Sequence, residues 1–230
     1  MTTKSSLAFQ AKKFVKKGDK TYLNKFTNIL SLCLQSHKKM MKEGKVSNEL
    51  DEETLSNKLC RFMEDNKGLQ GLGQYSFVRE TAEIDEITDK TKGYSDIRAI
   101  IPNPSTYSCG SVYFLIECKL VDTYSNKNKQ YIEEGINRFI IGKYSPKMNI
   151  AGMIGFIKPC NEKRKFPNGK TKYIIDDINA KLCNEYNRPK TEKICNSKLD
   201  NCPEAYLSKH LRDNGLGDIY LYHLMLDVAV

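Results

Sequence analysis

Residues 113–120 read YFLIECKL: four apolar residues lead into a glutamate and a lysine separated by one cysteine, and the run closes on leucine. A string so rich in aromatic and β-branched residues is the strongest strand signal in the chain. Side chains alternate along a strand, so Glu117 and Lys119 leave on one face together while Cys118 enters the other. An apolar strand that ends in two opposite charges either carries a surface ion pair or holds charge inside for a purpose.

The rest of the chain supplies partners for such a strand. Apolar positions at 22, 23, 26, 29, 30, 33 and 40 have helical spacing, with Gly44 as a stop. A second helix follows capping oxygens between Asn48 and Asp51, runs through LDEETLSNKLCRFMEDN, and ends at Gly68. YSFVRETAEI (75–84) and YSDIRAII (94–101) read as extended, and the prolines of IPNPS stop the latter. After the strand at 113, QYIEEGINRFI reverts to helical period, and IAGMIGFI is a buried strand with small residues. A basic loop (158–172), a helix around IIDDINAKLCNEY, a short helix near AYLSKHLR and a last strand in DIYLYHLMLDVAV complete the chain. The order predicts one α/β domain, a mixed sheet flanked by helices, with a parallel right-handed crossover between 112 and 157. Within it we distinguish an N-terminal helical part (1–45), a core carrying the chemistry (46–157) and a C-terminal extension (158–230).

If the segments around 96 and 117 are adjacent antiparallel strands, Asp96 and Glu117 meet at one end of the sheet. Two converging carboxylates repel unless a cation neutralises them, and hard divalent ions such as Mg²⁺ take carboxylate and carbonyl oxygens. A water on that ion becomes acidic enough to attack phosphorus, and a neighbouring lysine can orient it, deprotonate it or stabilise charge on phosphate. Glu52 falls on the core-facing side of the second helix, three and seven residues before Leu55 and Leu59, whereas Glu53 turns to solvent. Glu52 serves either a metal or Lys119, or the dipole of its own helix.

With Asp96 followed by Glu117-Cys118-Lys119 across a hairpin, and a helix and strand after it, the chain resembles the PD-(D/E)xK superfamily, which includes restriction endonucleases. Ser95 stands where that family commonly has proline. The resemblance implies a restriction endonuclease-like fold and a metal-dependent endonuclease, acting on DNA in preference to RNA. It implies Mg²⁺, with Mn²⁺ as substitute, held by Asp96, Glu117 and the carbonyl of Cys118, and Lys119 serving the attacking water. It also implies an acidic residue from the leading helix at the site, which Glu52 matches, and a role in defence against foreign DNA. Many members dimerise, so a second copy or a partner subunit is an open expectation. A nuclease-fold subunit that binds nucleic acid without cutting it is the rival reading.

The remaining signals are weaker. A net charge of +9 fits a polyanionic partner. Lys163, Arg164, Lys165, Lys170 and Lys172 in the basic loop are candidates for backbone phosphates, or simply a solvated face. Arg138, Lys143 and Tyr144 face phosphate or solvent. Gln130 and Tyr131 sit where exonuclease-like members carry a Gln, but Glu134 breaks the Q-x3-Y pattern, leaving a surface helix. Eight cysteines in an unsignalled chain read as reduced thiols. Cys183, Cys195 and Cys202, with Cys160 or His210, are ligand types for zinc but lack the usual C-x2-C spacing. His210 beside Arg212 is read on an exposed helix and His223 as a satisfied sheet histidine. No segment has the apolar length of a membrane span or secretory signal, which favours a cytoplasmic address without a membrane partner.

Overall fold

The computed structural model describes residues 20–84, 91–100, 113–145, 148–159 and 169–228. Helix α1 (Lys20–Lys42) is followed by α2 (Glu52–Asn66). Gly44 ends the turn after α1 with φ +63°, a conformation that costs glycine little. Asp51 caps α2, its Oδ1 accepting the Thr54 amide at 2.7 Å. Strands β1 (Ser76–Ile84), β2 (Thr91–Ile100) and β3 (Tyr113–Val121) form an antiparallel meander. The chain crosses over through α3 (Ser125–Gln130), a π-helical turn at Tyr131–Ile136 and α4 (Asn137–Ile140) to β4 (Ile150–Ile157), parallel to β3 as expected. Helix α5 (Lys170–Asn184) leads to β5 (Cys195–Asn196), β6 (Tyr206–Leu211) and β7 (Asp218–Asp227).

These strands make one seven-stranded mixed sheet in the order β1-β2-β3-β4-β7-β6-β5, so the C-terminal segment supplies three strands of the same layer. Helices α1 and α2 cover one face, packing Phe26, Leu30, Leu55 and Leu59 on Ile97, Ile116, Cys118 and Tyr222. The crossover helix and α5 cover the other, packing Ile136, Phe139, Ile174 and Ile178 on Leu115, Met153 and Leu221. The small residues of IAGMIGFI have a use here: a Cβ on Gly152 would lie 2.9 Å from Ile116 Cγ1 and 3.3 Å from Phe26 Cζ. Glycine lets α1 settle onto the centre of the sheet.

The segment AYLSKHLR is a strand, not the helix its sequence suggests. β6 points Ser208 and His210 inward and leaves Leu211 exposed, reversing the usual pattern. His210 is therefore buried on a strand rather than exposed on a helix, and His223 beside it on β7 is fully buried too. A chain of hydrogen bonds makes this tolerable. Tyr131 Oη lies 2.8 Å from His223 Nδ1, Ser208 Oγ lies 2.8 Å from His223 Nε2 and 2.7 Å from His210 Nε2, and His210 Nδ1 lies 2.8 Å from Glu192 Oε2. Burial holds His223 down at about 3, with His210 adding to it. Burial pushes Glu192 up, but hydrogen bonds from His210 and Arg188 outweigh it and hold the carboxyl at about 2. The chain runs from tyrosine to His223, serine, His210 and carboxylate, so every ring nitrogen in it has a hydrogen-bond partner. Ser208→Ala deprives two buried nitrogens of their partner, and chemical denaturation should show a loss of about 1–3 kcal/mol for each.

Candidate active site

The β2–β3 ladder runs from Ile100 opposite Tyr113 to Ile97 opposite Ile116 and goes no further, although β3 continues to Val121 against β4. Beyond that point the strands part, and the β3 amides that face the gap need acceptors. Two carboxylates provide them. Asp96 Oδ2 accepts the Cys118 amide at 2.8 Å, and Glu52 Oε2, reaching over from the start of α2, accepts the Leu120 amide at 3.0 Å. The sheet thus brings together the four residues that the sequence singled out for chemistry.

Lys119 lies at the centre of the group. Its Nζ donates to Glu52 Oε1 at 2.6 Å and to the Cys118 carbonyl at 3.0 Å, and pairs with Glu117 Oε1 at 3.2 Å. Cys118 points into the opposite core, as strand alternation requires. Glu52 is half-buried and bound to Lys119, so it does more than serve its own helix dipole; Glu53 is exposed as expected. Ser95, at the position of the family's proline, donates its hydroxyl to the Thr81 carbonyl at 3.2 Å and accepts from Arg98 Nε.

Sequence reasoning missed the other side of the site. Arg138 reaches a carboxylate of the candidate metal site: its guanidinium lies 3.3 Å from Glu117 Oε1 and donates to Tyr144 Oη at 2.8 Å. Tyr144, fully buried, donates in turn to the Tyr94 carbonyl at 2.8 Å. The signal was Gly135, one turn earlier, whose absent Cβ leaves room beside Met153 and 3.7 Å from Lys119 Cγ. The π-helical turn then changes the phase of the helix downstream of it, so a constant period could not place Arg138.

Electrostatics set the protonation states. Burial raises Glu117 to about 8, the Asp96 carboxylate adds to it, and Lys119 and Arg138 only partly offset them. Burial pulls Lys119 down, but Glu117, Glu52 and Asp96 outweigh it and hold the ammonium well above the ordinary lysine range. Lys119 is therefore a permanent cation at neutral pH. Glu117 is 1 % exposed, and its Oε2 has no hydrogen-bond partner among the described residues. An orphaned buried carboxylate oxygen across from Asp96 suits a divalent cation, so the donor set fits Mg²⁺ with two carboxylates and the Cys118 carbonyl. Among the described residues, no group of three or more His, Cys, Asp or Glu side chains is placed to hold a metal ion.

Beside these residues opens a cleft of about 370 Å³, lined by Glu52, Glu53, Glu80 and Asp96 together with Arg79 and Tyr94.

The other sequence candidates are dispersed. Lys163, Arg164 and Lys165 lie outside the described residues, as does Cys160. Lys170 and Lys172 are not loop residues: they open α5, where they pair with Asp227 at 2.8 Å and Asp176 at 3.3 Å. Gln130 is exposed, whereas Tyr131 is buried in the histidine chain. Cys202 is buried under α1 while Cys195 is exposed on β5. No helix among the described residues is long and apolar enough to cross a membrane. Compared with protein-family models, curated proteins and solved structures, the chain matches none.

The raised Glu117 fixes a pH dependence. Its folded value of about 8 exceeds the ordinary carboxylate value of 4.5, so between those limits the folded state holds the extra proton and loses stability as pH rises. In EDTA, the stability of wild type minus that of Glu117→Gln should fall as pH goes from about 5 to about 8. A flat difference in denaturation midpoints would contradict the raised value.

Proposed function

We propose that the chain is a metal-dependent endonuclease of restriction endonuclease-like fold, acting in the cytoplasm and hydrolysing phosphodiester bonds, of DNA in preference to RNA. The observation that carries this reading is the buried Glu117 carboxylate with one oxygen unpartnered, opposite Asp96 and bonded to Lys119. A purely structural ion pair has no need of the third carboxylate, the unpaired oxygen or the open cleft. The excess of basic residues supports a polyanionic substrate.

Asp96 and Glu117 would hold Mg²⁺, with the Cys118 carbonyl beside them; Mn²⁺ suits the same oxygens. When bound, the ion acidifies a water and neutralises charge on the phosphate. Because Lys119 keeps its proton, its role is to donate: it orients the attacking oxygen and stabilises the charge that develops as the new P–O bond forms and the ester P–O bond breaks. Glu52 and the Cys118 carbonyl hold the ammonium in place for that task. Arg138 and Tyr144 fix Glu117 from behind.

The test is cleavage of supercoiled plasmid, linear DNA and a generic RNA with Mg²⁺, Mn²⁺ or EDTA. Wild type should cut in a metal-dependent way, and Lys119→Ala and Asp96→Asn should each lose activity by a factor on the order of 10²–10⁴. Folded wild type that cuts nothing with either metal would replace this reading with a nucleic-acid-binding subunit dependent on a partner.

A further inference from the structure

Within the cleft, two residues have no part in the chemistry of the metal site. Tyr94 precedes Asp96 by two positions on β2 and so projects from the same face, yet it is 62 % exposed. Its backbone is nevertheless fixed, because the buried Tyr144 hydroxyl bonds its carbonyl, and that same tyrosine reaches Glu117 through Arg138. An aromatic ring open to solvent on a backbone tied to the site has the geometry that base stacking requires. Arg79 is the second. Its side chain is 12 % exposed, and among the described residues its Nε is buried with no partner and its one ion pair is a 3.4 Å contact with Glu80. Glu80 itself has φ +47°, a left-handed conformation unfavourable for a side chain, on the strand alongside β2.

Charge explains why a ring would be needed. Four carboxylates and one guanidinium line the cleft, so its net field repels a phosphate chain rather than attracting it. Affinity next to the scissile phosphate must come from an interaction that the field does not oppose. Stacking a base on an aromatic face is such an interaction, and a guanidinium in the cleft wall can hold the adjoining phosphate. A base can reach an exposed ring only when it is unstacked and unpaired.

We propose that this cleft is a nucleotide subsite for single-stranded nucleic acid, with an unpaired base stacked on Tyr94 and its adjoining phosphate held by Arg79. The assignment rests on the nuclease reading for its place beside the scissile bond, but the binding it describes is measured without catalysis.

The experiment is fluorescence anisotropy of a labelled single-stranded DNA oligonucleotide, and of the corresponding duplex, titrated with full-length protein in EDTA. Tyr94→Ala should weaken single-strand binding on the order of tenfold, Tyr94→Phe should retain it, and neither should alter duplex binding. Arg79→Gln should weaken single-strand binding and reduce its salt dependence. Tyr94 is exposed, and thermal melting checks that each variant folds. Single-strand binding unchanged in Tyr94→Ala, no single-strand binding by wild type, or an equal loss on duplex would each overturn the subsite. If Tyr94-dependent binding is seen but no substrate is cut with Mg²⁺, the subsite stands and the nuclease reading falls.

Discussion

The parting of β2 from β3 is the constraint on which the site depends. A sheet whose strands separate must find acceptors for the amides it exposes, and inside a protein each orphan amide costs free energy comparable to a lost hydrogen bond. Here the acceptors are the Asp96 and Glu52 carboxylates on Cys118 and Leu120. The same groups therefore complete the sheet and concentrate negative charge around Lys119. Once they are in place, a lysine with its ammonium between Glu52 and Glu117 keeps its proton, and Glu117, short of compensation, tends to keep its own. Fold and electrostatics both stem from one gap.

The sequence was most informative where local pattern and tertiary role agree. Glu117, Cys118 and Lys119 alternate about a strand, and the strand geometry alone sends the charges to one side and the thiol to the other. Glu52 was placed by its phase relative to Leu55 and Leu59, and it does reach Lys119. Helices α1 and α2 lie where capping residues and periodicity put them.

The failures have equally specific causes. β6 hides serine and histidine and exposes leucine, so no hydrophobic period could reveal it; its inward face is polar because it belongs to a hydrogen-bond chain assembled from four distant segments. Arg138 lies just beyond a π turn that changes the phase of the helix, so a constant period does not place it against Glu117. Lys170 and Lys172 looked like loop charge because the basic run continues across the start of α5. Arg79 and Tyr94 carry no motif at all, and only the folded strand pair brings them to one cleft.

The buried histidine chain also restricts how this sequence can change. From Tyr131 to Glu192, each group is hydrogen-bonded to the next, so the proton positions of all five side chains depend on one another. Replacing one member strands its neighbours in a dry core, whereas replacing neighbouring partners together by apolar groups of matching shape can be nearly neutral. Substitution there proceeds in blocks, and among related chains Tyr131, Glu192, Ser208, His210 and His223 would be kept or exchanged as a set.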